Sequence, residues 1–238
     1  VYPGVMNGLI TGNVGMAQSS LAMAALVIDC DKYADKWIEQ IYDGRNEISW
    51  KRQGLSQILM NIIDHDGIGD ESSPEYNSLW VSCLAQVADI LYGYKKEKYD
   101  LYKNPRFLKM FNLFPSLFVI GAYTPSIGDT KFAGNPGITF NGPCVASFFE
   151  KTKDIKAAKL LYFMSKIKKE KGENSAICTD IFADCEQIEK DVLAIVDQYG
   201  LFQNESRNLT GYGFASIADT SKNDDKALSV YYGRNTGH

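Results

Sequence analysis

The sequence has no C-x-x-C pair, no excess of basic residues, and no apolar run approaching the length that crosses a membrane. Without a C-x-x-C pair, neither a zinc ribbon nor a thioredoxin-like redox site is encoded. The formal net charge of −4 argues against nucleic acid as a partner, because phosphate recognition draws on a basic surface. It leaves an anionic ligand open, since a local basic patch fits on an acidic protein. No stretch reaches the roughly 18 consecutive apolar residues expected of a membrane span. No signal peptide is visible either. The chain opens at Val1 rather than Met, which reads as a processed or excised segment, so the missing leader says little about compartment.

What is present is ordinary for a globular protein: 45% hydrophobic and 23% charged residues over 238 positions, enough for a large core in one or two domains. The 14 Tyr, 12 Phe and 3 Trp suit sugar binding, where an aromatic face packs on a sugar ring, and equally suit core packing. The five cysteines, at 30, 83, 144, 178 and 185, are irregularly spaced and read as mostly buried thiols. Cys178 and Cys185 are near enough in sequence to approach each other.

Residues 1–203 read as helical. Gly15–Ile28 is rich in Ala, Met and Leu, and Tyr33–Tyr42 and Trp50–Ile63 continue in that style. Trp80, Leu84, Val87 and Leu91 fall on one face, as do Ile188, Val192, Ile195, Val196 and Tyr199, with Gly200 as a stop. Gly121–Gly142 is punctuated by Pro125, Gly128 and Asn135-Pro136-Gly137 and is too long for a plain connector. Lys166–Asn174 reads as a solvated charged stretch. After Gly200 the pattern changes: a polar linker over Asn204–Gly211, an alternating strand from Tyr212 to Ala218, a polar turn at Thr220–Asp225, and a second strand at Ala227–Tyr232. Two strands are not stable alone, so a β-domain is expected to begin here and continue past the end.

Three segments carry candidate chemistry. Asp66-Gly-Ile-Gly-Asp-Glu71-Ser-Ser-Pro74-Glu-Tyr76-Asn77 precedes the helix through Trp80, with Ser73 placed to cap it and Pro74 in its first turn. Tyr76 there is either a general acid or base at a cleft mouth or an amphipathic core residue. Gly12-Asn13-Val14-Gly15-Met16-Ala17-Gln18 opens the first long helix. Asn13 and Gln18 offer amides to a carboxylate, and Asn13 alternatively only caps the helix. Tyr231-Tyr232-Gly233-Arg234-Asn235-Thr236-Gly237-His238 is a strand running into a loop that presents Arg and His, or a plain hairpin end. His65, between Asp64 and Asp66, reads as a surface residue near the site loop, with a catalytic role as the alternative. Asp64, Asp66, Asp70 and Glu71 lack the spacing of an EF-hand. Asn204-Glu-Ser and Asn208-Leu-Thr match glycosylation sequons, a pattern common by chance.

Taken together, these three segments resemble the heparinase II/III-like polysaccharide lyases in order and rough separation. The Gly12–Gln18 segment resembles that family's Asn-His helix start. The segment from Asp66 to Tyr76 resembles its Asp-Gly…Glu-x-Ser-Pro-x-Tyr segment, whose Tyr is catalytic. The third resembles the strand leading into its Gly-His-x-His-x-Asp motif. The resemblance implies a mainly α fold: an α/α toroid of helical hairpins over residues 1–203, then the first strands of an antiparallel β-sandwich domain over 204–238, with the active site between them. It implies β-elimination on a uronate polysaccharide of the heparan sulfate or alginate kind, in a periplasmic or secreted setting. By the same resemblance, this chain holds no cofactor, and a zinc or other divalent ion belongs to the part of the β-domain beyond His238. Val14 stands where the family often has His, which removes one neutralising group. A chain ending at His238 is expected to be inactive alone.

Elimination requires neutralisation of the uronate carboxylate, a base for the C5 proton and an acid for O4. The resemblance assigns Asn13 to the carboxylate, Tyr76 to acid and base duty, and His238 to the other base. Glu71, Gln18, Arg234 and Asn77 are the substrate-binding or orienting candidates. An unperturbed tyrosine titrates near about 10, so Tyr76 as a base needs a nearby cation, supplied by Arg234 or His238. Two other readings compete. An inverting glycoside hydrolase needs two carboxylates roughly 6.5–9.5 Å apart, with Glu71 as one and no obvious second. A non-catalytic glycan-binding protein needs neither set.

The cysteine spacing gives a first test. A chain of this size folds without staples, so thiol titration of denatured, unreduced protein is expected to find most of the five cysteines free. Two disulfides would contradict that.

Overall fold

A computed structural model describes residues 4, 12–44, 53–95, 97–130, 140–219 and 226–234. They form a mainly helical body followed by a small antiparallel sheet. Helix α1 (Met16–Val27) packs against both α2 (Asp31–Asp43) and α4 (Pro74–Leu91), with the short α3 (Leu55–Asn61) beside α2. Along α4 the expected stripe of Trp80, Leu84, Val87 and Leu91 is buried. Each such side chain is worth about 1.5–3 kcal/mol relative to exposure. Pro74 opens α4, where its missing N–H costs nothing. Ser73 stands at the N-cap position as expected, but its hydroxyl meets Thr130 Oγ1 at 2.9 Å instead of capping the helix. That bond fastens Thr130 to the start of α4.

Two 3₁₀ turns (Glu97–Tyr99 and Leu101–Lys103) lead into α5 (Pro105–Met110) and α6 (Leu113–Ser116). Here the core is aromatic: Phe107, Phe111 and Phe114 follow one another, and Phe111 stacks on Phe148 with centroids 3.8 Å apart. Phe148 belongs to α7 (Gly142–Thr152), which packs on α8 (Ile155–Glu170). Helix α9 (Cys185–Tyr199) packs on α8 in turn. Gly200 ends α9 with φ +78°. Cys178 and Cys185 form a disulfide, while Cys30, Cys83 and Cys144 are free.

The helical expectation for Trp50–Ile63 is narrower in the fold, covering Leu55–Asn61, and residues 45–52 lie outside the described set. The charged stretch from Lys166 is not a loop at its start. Helix α8 continues to Glu170 because Lys166 and Lys169 face solvent while Ala158, Leu161 and Met164 stay buried. The polar linker expected over 204–211 contains a strand, β1 (Arg207–Leu209), that apolar alternation could not reveal. Pairing defines it: Arg207 lies opposite Ser216 and Leu209 opposite Phe214 of β2 (Phe214–Asp219). Strand β3 (Lys226–Tyr231) flanks β2 on the other side, with Phe214 opposite Tyr231 and Ile217 opposite Leu228. Gly213 turns into β2 at φ +82°, and a Cβ there would lie 2.2 Å from Gly233 Cα, so the two backbones cross without a side chain.

The inner sheet face joins the helical core through Tyr212 and Phe214. Polar anchoring falls mainly on the loop before α4. Asp66 Oδ2 accepts the N–H groups of Gly211 at 2.6 Å and Tyr212 at 3.3 Å, and the Tyr212 hydroxyl donates to the Ser72 carbonyl. His65 Nε2 meets Thr210 Oγ1 at 2.8 Å. Arg207 reaches the Pro115 carbonyl, and burial depresses its pKa.

Asp66→Ala leaves two backbone donors without their acceptor. It is expected to lower the unfolding free energy by about 2–3 kcal/mol in urea titrations. An unchanged midpoint would show that water replaces the carboxylate without loss.

Candidate functional site

A cavity of about 870 Å³ lies between α4 and the N-terminus of α7, within the size range of about 300–1,000 Å³ usual for ligand pockets. It exists because α4 has two faces. Opposite the apolar stripe runs a second one, Glu75, Ser78, Leu79, Ser82, Cys83 and Gln86, at the same helical spacing, and all of these line the cavity. Tyr76 lies at the N-terminal end of that wall, and Asn13 closes it from the α1 side. Asp129, Phe140, Asn141, Gly142 and Pro143 form the far wall.

Gly15 explains how Asn13 comes so close. It precedes α1 at φ +89°, and a Cβ on it would lie 2.7 Å from Cys83 Cβ. Only glycine allows both the backbone conformation and the approach, so the start of α1 presses onto the cavity side of α4. Asn13 does not cap α1 with its side chain. Its backbone N–H points to Met16 Sδ at 3.2 Å and its carbonyl accepts from Met16 N–H. Among the described residues the Asn13 side-chain amide has no hydrogen-bond partner. Val14, where the resemblance leads one to look for His, is fully buried in the core.

Asn141 ties the two walls together. Its Oδ1 accepts from Cys144 N–H at 3.1 Å, capping α7, and its Nδ2 donates to Ser82 Oγ at 3.0 Å on α4. Deeper along α4, Asp89 accepts from the Tyr102 hydroxyl at 2.7 Å and Ser147 Oγ at 2.6 Å. Burial first, then the Asp89 charge, pushes the Tyr102 phenol far up, so it stays protonated as a structural donor. Burial also raises the Cys83 thiol, which argues against a thiolate nucleophile in the cavity.

No family model, curated protein sequence or solved structure matches the chain. Geometry therefore decides among the sequence candidates. Asn13 and Tyr76 share the cavity. His238 lies outside the described residues, as do Asn235, Thr236 and Gly237. Gln18 does not line the cavity: it falls on the inner face of α1 with Leu21, Ala22 and Ala25, and its Oε1 is buried without a partner. Asn77 is likewise turned inward, because one helical step carries it about 100° from Tyr76. It is buried, and its Nδ2 donates to the Glu71 carbonyl at 2.7 Å and the Ser73 carbonyl at 3.1 Å, bracing the loop rather than meeting a ligand.

Glu71 and Arg234 meet elsewhere, in a small cleft with Asp64, Asp70, Tyr212 and Tyr231 on the sheet side of that loop. Arg234 is ion-paired with Asp70, so it is not the cation beside Tyr76. Asp64, in the same cleft, has its pKa raised by burial, against the pull of the Ile68 and Asp66 N–H groups it accepts. Among the described residues no group of three or more His, Cys, Asp or Glu side chains is arranged to hold a metal ion.

The sequence reading missed Glu75, Ser78, Ser82 and Gln86. Their i, i+3, i+7, i+11 spacing was visible beside the apolar stripe it did identify. It marked Gly121–Gly142 as too long for a plain connector but did not single out Asp129, Phe140 or Asn141. The cavity wall depends on Asn141, so Asn141→Ala is expected to cost about 1–2 kcal/mol of stability through loss of the α7 cap, measured by thermal unfolding. Asn141→Asp is expected to restore most of it, because the Oδ1 acceptor remains.

Proposed function

We propose that this chain is most of the helical catalytic part of a heparinase II/III-like polysaccharide lyase, with the opening strands of its β-sandwich domain. On this reading residues 1–203 belong to an α/α toroid and the protein works in a periplasmic or secreted setting on an anionic polysaccharide. One observation carries the reading: Asn13 and Tyr76, from separate elements, line the same sugar-sized cavity. The two residues match the resemblance's catalytic positions.

The roles follow from chemistry. The Asn13 amide donates to the uronate carboxylate and makes the C5 proton more acidic. Tyr76 stands at the cavity wall to exchange a proton with C5 and O4, and His238 is the partner base. The neutral hydroxyls and amides of Ser78, Ser82 and Gln86 hold sugar hydroxyls. Any zinc or other divalent ion belongs to the sandwich domain beyond these residues and enters none of these steps.

A second reading keeps one specific observation in its favour. Glu75 and Asp129 both line the cavity, and paired carboxylates across a cleft are the machinery of an inverting glycoside hydrolase. A glycan-binding protein without activity is the third reading.

Products separate the three. A lyase yields an unsaturated uronate absorbing in the near ultraviolet, a hydrolase yields reducing ends without it, and a binder yields neither. In the full-length protein Tyr76→Phe is expected to fold normally and to lose elimination by about 10²-fold or more, the scale of a general acid or base. Glu75→Gln is expected to retain most activity. Near-normal turnover of Tyr76→Phe, or reducing ends without ultraviolet absorbance, would end the lyase reading.

A further inference from the structure

The cavity wall carries two carboxylates, Glu75 and Asp129, and among its described residues no Lys, Arg or His. An anionic sugar entering it needs a positive group close by. One such group is on α8. Lys168 lies in the last turn of that helix, half-buried, with its Nζ 5.9 Å from the centre of the Phe140 ring. Phe140 lines the cavity and is itself held edge-on by Phe114. Gly142, the neighbouring lining residue, is the other contact. A Cβ on it would stand 4.0 Å from Lys168 Nζ and 3.4 Å from Phe140 Cε1. The ammonium therefore sits against two residues that line the cavity. Among the described residues it has no carboxylate partner. Its neighbour Lys169, on the same last turn, is exposed. A lysine at a helix C-terminus is favourable in itself through the helix dipole, but that accounts for either lysine and not for the placement of this one against Phe140.

We propose that Phe140 and Lys168 form a rim subsite that takes one anionic sugar residue of the polymer. The ring supplies an apolar surface to a sugar face and fixes the ammonium by cation–π attraction, while the ammonium pairs with a carboxylate or sulfate group. This inference rests on the polysaccharide reading of the same cavity and adds the residue that selects charge.

The test uses full-length protein and three hexasaccharides: an unsulfated mannuronate hexamer, a sulfated heparin hexamer and neutral cellohexaose. Binding is measured by calorimetry at low and high salt, and KM and kcat are measured alongside. One of the two anionic hexamers is expected to bind and cellohexaose is not; if heparin is the one bound, retention or loss of binding by its desulfated hexamer separates carboxylate from sulfate recognition. Lys168→Glu is expected to weaken that binding roughly tenfold or more, the scale of a hydrogen bond to a charged group. It should also flatten the salt dependence and raise KM with kcat nearly unchanged. Lys168→Arg is expected to keep affinity within about threefold, and Lys169→Glu, the control, to change little. The proposal is overturned if Lys168→Glu binds as tightly as the unaltered protein, if Lys169→Glu weakens binding equally, or if neither anionic hexamer binds. A Lys168-dependent interaction without ultraviolet-absorbing product would sustain the subsite and sink the lyase reading.

Discussion

A single carboxylate, Asp66, joins the two parts of this molecule. It accepts the backbone N–H groups of Gly211 and Tyr212, and around it the Tyr212 hydroxyl, His65 and Arg234 add contacts from the same loop to the sheet. A sheet of three short strands is marginal by itself. It persists here because its inner face enters the helical core while its entry turn is fixed by charge-assisted hydrogen bonds. The other end of that loop is the N-cap of α4. The residues that hold the sheet therefore also set where Tyr76 stands.

From α4 outward the site follows from helical geometry. One face of the helix is apolar and buried, and the other is polar and lines the cavity. Two close approaches then define the cavity's depth: Gly15 against Cys83, which brings in Asn13, and Asn141 to Ser82, which brings in the α7 wall. Both join residues far apart in sequence, Asn141 and Ser82 being 59 positions apart. Each is a single small or bifunctional residue placed where two helices meet.

The helical part was legible because its core faces repeat with the helical period, and Trp80, Leu84, Val87 and Leu91 announce α4 on inspection. Strands β2 and β3 were legible through alternation. Strand β1 was not, because Arg207, Asn208 and Leu209 gain their conformation from pairing with β2. The site was half legible. Asn13 and Tyr76 stood out by motif, and the fold places them together. Gln18 and Asn77 looked like ligands because they are amides near a motif, but a one-residue step along a helix turns each into the core, and spacing to a partner element is not written in a single sequence. Glu71 and Arg234 share a cleft on the sheet side, separated from the cavity by the loop itself.

The Asp66 contacts also bear on how the chain reaches its final form. The bond from Asp66 to Gly211 spans 145 positions. Closing a segment of that length carries an entropic penalty that grows slowly with the number of residues, and the contact forms only after Gly211 has been synthesised. The helices before it can pack from neighbouring contacts, but the loop that orients Tyr76 waits for the C-terminal strands. During synthesis the cavity therefore matures after the helical body, and a nascent chain that has not reached Gly211 holds helices whose loop before α4 is still unset.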